Sequence, residues 1–138
     1  MLNNNLKFAR EEIGITQEEL GKVFGVTKGT VSNWENNNDI IPLKNLIKFC
    51  DIYNYSLDFI TGLSRKNKGH LNIGIIDKQQ IGNNLKKFRI KHNMSQQQLA
   101  DECSISREAY CHYELGVNLV SALALYTICK NYNINMEA

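Results

Sequence analysis

Apolar residues recur along this chain at three- and four-residue spacings, the mark of helices with one buried face, and each run is bracketed by capping residues. Leu6, Ala9 and Ile13 place a first helix over about residues 4–13, ended by Gly14, a natural C-cap. Thr16-Gln17-Glu18-Glu19 is a capping-box pattern in which Thr16 and Glu19 satisfy each other's exposed amides. It opens a helix over 17–24 with Leu20, Val23 and Phe24 facing inward. Val26-Thr27 then leads into a third helix, with Thr27 as N-cap, running to about Glu35. Pro42 suits the first turn of a fourth helix, where its missing N–H costs little. Ser56 caps a fifth, which ends near Thr61-Gly62. No alternating strand pattern interrupts the series, so the expected class is all-α.

The pattern then repeats. Shifted by 79 positions, residues 4–59 align with 83–138 without a gap: Leu6 falls on Leu85, Arg10 on Arg89 and Thr16-Gln17 on Ser95-Gln96. Val26-Thr27 meets Ile105-Ser106, Trp34-Glu35 meets Tyr113-Glu114, and Cys50 meets Cys129. A unit of roughly 55 residues is too long for most stacking repeats but can bury its own small core. The expected organisation is therefore two related five-helix domains, 1–64 and 81–138, joined by a linker at 65–80. A flexible coil of about 16 residues spans about 22 Å on average and about 50 Å when stretched. That reach suffices for two domains one DNA turn apart, about 34 Å.

Composition narrows the classes only modestly. The chain has 138 residues, 43% hydrophobic and 22% charged, which is ordinary globular usage. The start, Met1 to Asn5, lacks a basic region followed by an apolar stretch, and the longest nearly apolar run, Leu119 to Tyr126, is far too short to span a bilayer. The reading is a cytoplasmic protein with no membrane partner. Net charge is +2: residues 1–64 carry six Lys/Arg against eight Asp/Glu, 65–80 four against one, and 81–138 six against five. Such a balance does not announce a nucleic-acid binder by itself, so any such claim rests on where individual charges sit.

Two short helices at 17–24 and 28–35, joined through Gly25-Val26, form a helix-turn-helix candidate. On a wheel at about 100° per residue, Lys28, Gly29, Ser32, Asn33 and Asn36 share one side and Val31 and Trp34 the other. A cation, amides, a hydroxyl and a glycine on one face suit a major groove, Lys reaching guanine acceptors or phosphate and Asn pairing with adenine. The same face also suits an ordinary solvated helix, and the wheel alone leaves both readings open.

Thr16-Gln17-x-x-Leu20 followed by Val26-Thr27-x-x-Thr30-Val31-Ser32-x-Trp34-Glu35 resembles the phage Cro/cI-type repressor helix-turn-helix domain, the XRE family. The resemblance covers residues 4–63 and again 83–138, and includes the Ser56-Leu57-Asp58 and Thr61-Gly62 ending. It implies sequence-specific operator binding by the helix beginning at Lys28, with Thr16, Gln17, Lys28, Gly29, Thr30, Ser32, Asn33 and Asn36 as DNA-binding residues. It also implies that Gln17 touches DNA backbone or a base edge. Arg10 with Glu35, and Arg89 with Glu114, match a structural ion pair of the family.

The second repeat departs at the recognition slots, where Arg107, Glu108, Cys111, His112 and Leu115 replace Lys28, Gly29, Ser32, Asn33 and Asn36. Gln96, Arg107, Glu108 and His112 are its DNA-binding candidates: Arg107 reads guanine well and Glu108 can accept from cytosine. Glu108 also repels phosphate, and Tyr110 replaces the packing Val31. The repeat either reads a different half-site or has become a pairing or docking domain. Cys50, Cys103, Cys111 and Cys129 lack metal-ligand spacing, and the shared slot of Cys50 and Cys129 favours packing. Cys111, four residues from Arg107, carries the one redox option. His70, His92 and His112 have no nucleophile or carboxylate at a meaningful spacing, so no enzyme, cofactor, metal or small-molecule substrate is expected. The expected function is a DNA-binding transcriptional regulator, a repressor by type. Its expected partner is double-stranded DNA, with a homodimer as a further option. The alternative is a protein-interaction module of antitoxin or antirepressor kind built on the same scaffold.

Overall fold

The computed structural model describes residues 4–65 and 77–134, and within them every regular element is a helix. These residues fall into two compact units, each considered by itself. The first holds α1 (Leu6–Ile13), α2 (Gln17–Phe24), α3 (Lys28–Glu35), α4 (Leu43–Tyr53) and α5 (Leu57–Thr61). The second holds α6 (Lys78–Lys91), α7 (Gln96–Glu102), α8 (Arg107–Glu114) and α9 (Ala122–Tyr132). The fifth helix expected of the second repeat lies outside the described residues, as does most of the segment read as a linker. Helix α6 already begins at Lys78, capped by Asp77 through the amides of Gln79 and Gln80, so residues 78–80 of that segment are helical.

In the first unit the fully buried side chains Leu6, Leu20, Val31, Leu46, Phe49 and Ile60 come from all five helices and make one core. Helices α1 to α4 each turn an apolar face to it and α5 is buried throughout, which is why elements of five to eleven residues persist when none would be stable alone. Helix α1 starts two residues later than the spacing suggests. The side chains of Asn4 and Asn5 turn away to donate to the carbonyls of Trp34 and Phe59, pinning this end of the chain to α3 and α5. Pro42 likewise sits one position before its helix, where its extended backbone starts α4.

The second unit repeats the plan with Leu85, Leu99, Tyr110, Val120 and Ile128 buried. Its turns recur in the left-handed region at matching positions, Gly25 with Ser104 and Asn37 with Gly116. Two close approaches set the details. A Cβ at Gly21 would come within 2.7 Å of the Val26 carbonyl oxygen, so the α2–α3 turn closes this tightly only over a glycine. In the second unit Gly82 lets α6 lie directly on the end of α8, where a Cβ would meet the Tyr113 oxygen at 2.4 Å and that of Glu114 at 2.6 Å.

Candidate nucleic-acid interface

Helix α3 is held from below and open above. Val31 and Trp34 enter the core, with Trp34 edge-on to Phe24 at 5.8 Å, while Lys28, Gly29, Asn33 and Asn36 are exposed and Ser32 is half-buried. Thr27 caps the helix by accepting from the Thr30 amide, and the two threonine hydroxyls lie 3.0 Å apart. At the other end Asn36 donates to Ser32 at 3.2 Å, and the amides of Asn38 and Asp39 fold back onto the Asn33 carbonyl. The face read from the wheel is thus one continuous surface, with two of its polar groups already linked to each other.

Beneath it sits a charged anchor. The Arg10 guanidinium donates to Glu35 through Nε at 2.6 Å and Nη2 at 3.2 Å, and through Nη1 to the Ile15 carbonyl at 2.9 Å. The Glu35 side chain is 1% exposed, so the pair is buried and bidentate, the geometry in which such pairs are strongest. Its hydrogen bond to Glu35 chiefly raises the Arg10 pKa. Gln17 joins this anchor: its amide nitrogen donates to Glu35 at 3.0 Å. The family resemblance gave Gln17 to DNA; here its amide nitrogen is committed to the carboxylate. Position 17 therefore locks α2 to the end of α3. Thr16 is occupied as the N-cap of α2, its hydroxyl accepting from the Glu19 amide in a complete capping box.

The second unit reproduces the anchor closely. Arg89 reaches Glu114 at 2.7 and 3.1 Å and the Met94 carbonyl at 3.0 Å, and Gln96 donates to Glu114 at 3.2 Å. Tyr110, in the slot of Val31, places its buried hydroxyl beside this pair but outside hydrogen-bond geometry with either partner. Burial, then the neighbouring Glu114, push its pKa far up. Burial pushes the Glu114 carboxyl up too, but hydrogen bonding from Arg89 and Gln96, with the Tyr110 hydroxyl nearby, outweighs it and leaves the pKa below the usual range.

Above the anchor the two units diverge. Helix α8 exposes Arg107 and Glu108, half-buries Cys111 and His112, and is followed by Leu115 and Val117, 59% and 56% exposed, where the first unit has Asn36 and Asn38. Cys50, Cys103 and Cys129 are buried and Cys111 is half-buried, none of them in a disulfide. Among the described residues no group of His, Cys, Asp and Glu could hold a metal ion, and no helix is long and apolar enough to cross a membrane.

Comparison with known proteins follows the same division. A family model described as "Helix-turn-helix" matches residues 6–60, and one described as "Helix-turn-helix domain" matches 82–138. The antitoxin HipB of Escherichia coli K12 is 43% identical over 47 residues, 34% of this chain and 53% of that protein. The HTH-type transcriptional regulator ImmR of Bacillus subtilis 168 is 32% identical over 73 residues, 51% of this chain and 58% of that protein. The chain spans about half the length of the curated relatives it matches. No solved structure matches it. With one family match on each unit and the same ion-paired anchor beneath each exposed helix, the chain is a member of the XRE family, carrying two of its helix-turn-helix domains in tandem.

Proposed function

We propose that this chain is a sequence-specific DNA-binding transcriptional regulator, working in the cytoplasm as a repressor that occludes a promoter. The observation that carries the reading is the exposed polar face of α3, with Lys28, Gly29, Ser32, Asn33 and Asn36 held on a rigid, ion-paired base. In a major groove Lys28 reaches a guanine or a phosphate, Asn33 pairs with adenine, and Gly29 lets the backbone approach. Thr30 and Thr16 lie at helix starts, where amides and hydroxyls meet phosphate. On α8, Arg107 reads guanine, with Glu108 and His112 beside it, so the two units favour unlike half-sites and the chain an asymmetric operator. Gln17 and Gln96 serve this reading mainly by holding the helices in register.

A second reading has its own support. Leu115 and Val117 replace two asparagines at the edge of the second unit's face, and one relative is named an antitoxin. Both favour a protein partner for α8. Selection from a random DNA pool by the full chain separates the two. A two-part consensus is expected, with Lys28→Ala/Asn33→Ala erasing one half and Arg107→Ala the other. Binding should fall steeply between about 50 and 200 mM salt, because releasing phosphate counterions into more concentrated salt gains less. If Arg107→Ala leaves the consensus whole, α8 does not read DNA. No enrichment at low salt removes the DNA reading altogether.

A further inference from the structure

The duplicated scaffold supplies its own control for asking what one unit has acquired. Between the α6–α7 turn, α7 and the end of α9 lies an open recess of about 460 Å³, bordered by His92, Met94, Gln98, Asp101, Glu102 and Tyr132. That volume is in the range of small-molecule sites. It lies on residues that the proposed DNA face does not use.

Two rings line the recess, His92 and Tyr132, 5.2 Å apart, and Phe88 packs against both, 4.3 Å from His92 and edge-on to Tyr132 at 5.1 Å. Beside the rings stand two carboxylates, Asp101 and Glu102. The Tyr132 hydroxyl lies 2.7 and 2.9 Å from the two oxygens of Glu102 and 3.2 Å from the Met94 sulfur. Burial and the Glu102 hydrogen bond push the Tyr132 pKa up to about 12, so at neutral pH the phenol keeps its proton and donates it. Asp101 accepts from Gln97 at 2.7 Å. No ion pair with a lysine or arginine is recorded for either carboxylate among the described residues. Arg89, the cation next to Met94, is spent on Glu114.

In the first unit the matching positions hold Ile13, Ile15, Glu19, Lys22, Val23 and Tyr53, so Gln98 stands where the first unit has a capping glutamate. A lysine stands where the second unit has Asp101, a valine where it has Glu102, and isoleucines where it has His92 and Met94. The anchor, caps and turns are shared, so these four exchanges stand out from an otherwise similar frame. They set an imidazole, a thioether and two carboxylates where the first unit has two isoleucines, a lysine and a valine. A cation gains both from two carboxylates and from a ring face, while an alkyl body gains from the Met94 and ring surfaces.

We infer that the second unit binds a small organic cation, an ammonium or guanidinium on a short apolar body, in the recess between His92, Asp101, Glu102 and Tyr132. The inference stands apart from the DNA reading, since the recess and its residues do not belong to α8.

The test uses butylammonium as probe and butyrate as its anionic counterpart, added to the nitrogen-labelled full chain and followed by amide resonances. Butylammonium should shift Met94, Gln98 and Glu102 saturably, leaving Ile15, Glu19 and Val23 still. Asp101→Asn/Glu102→Gln keeps a group that can accept from Tyr132, and should weaken binding about tenfold with the circular dichroism spectrum unchanged. Equal shifts from butyrate, equal shifts in the first unit, or unchanged binding by the double variant would each overturn the assignment.

Discussion

Replacing Glu35 by glutamine tests whether the anchor under α3 holds the first unit together electrostatically. The side chains of Arg10 and Glu35 are 11% and 1% exposed and meet through two hydrogen bonds, so the guanidinium has little water to fall back on. Glu35→Gln keeps the shape but removes the charge, and it sets an NH2 group against donors from Arg10 or Gln17. Breaking a buried pair from one side costs about 3–5 kcal/mol. One amide oxygen still accepts, so the lower end, about 3 kcal/mol, is expected. A domain this small has only about 3–5 kcal/mol in total, so most of its stability would go. Trp34, the only tryptophan, is next in sequence to Glu35 and reports on this unit alone. With a urea m-value of about 1 kcal/mol/M, the fluorescence midpoint should fall by about 3 M. Arg10→Met/Glu35→Leu removes both charges and should recover part of the loss, because the desolvation cost disappears with them. If Glu35→Gln shifts the midpoint by less than about 1 M, or the double variant is no more stable than the single, the charge argument is wrong.

Three further outcomes concern the second unit, each read from urea unfolding followed by far-ultraviolet circular dichroism. Gly82→Ala should destabilise it by about 2 kcal/mol, despite about 1 kcal/mol gained in helix propensity, because the new methyl meets the carbonyls of Tyr113 and Glu114; a more stable variant would deny the close approach. Ser104 has φ 58 without the freedom of a glycine, so Ser104→Gly should raise the stability by about 0.5–1 kcal/mol, and a loss of stability would contradict this. The Glu114 pKa is lowered in the folded state, so its contribution is complete above the unfolded value of about 4.3 and is lost as pH falls through the folded one. Wild type should therefore lose more stability than Glu114→Gln on acidification below about pH 4; parallel pH curves would show that the carboxylate is not linked to folding.

What could be read before the fold was known was what is local. Helices α2 and α3 occupy the spans 17–24 and 28–35 expected of them, because their caps, Thr16 and Thr27, and their apolar spacing all act within one or two turns. The polar side of α3 followed from the same periodicity. What depends on distant partners was hidden. Nothing around Gln17 shows that its amide will meet Glu35, eighteen residues on, and the same holds for Gln96 and Glu114. Asn4 looked like the start of a helix until the Trp34 carbonyl claimed its side chain. The reason for a glycine at position 82 of α6 lies across the unit on α8. The recess beside Tyr132 needs three segments, which no single stretch of sequence displays. The duplication was the best available guide, since exchanges between matching slots marked the altered reading face.

The sameness of the two anchors has an evolutionary consequence. Helices α3 and α8 are each eight residues long, each begins after a capping hydroxyl at Thr27 or Ser106, and each ends on a glutamate gripped by an arginine and a glutamine. Apart from the capping hydroxyls, what seats these helices lies on their inner side, so the outer side can drift without disturbing the seat. After duplication one copy could keep its old preference while the other explored a new one, and selection would see the change in specificity separately from any change in folding. A frame like this works as an interchangeable cartridge: transplanting the outward residues of one helix onto the other should move a preference between domains and leave the architecture unaware of the exchange.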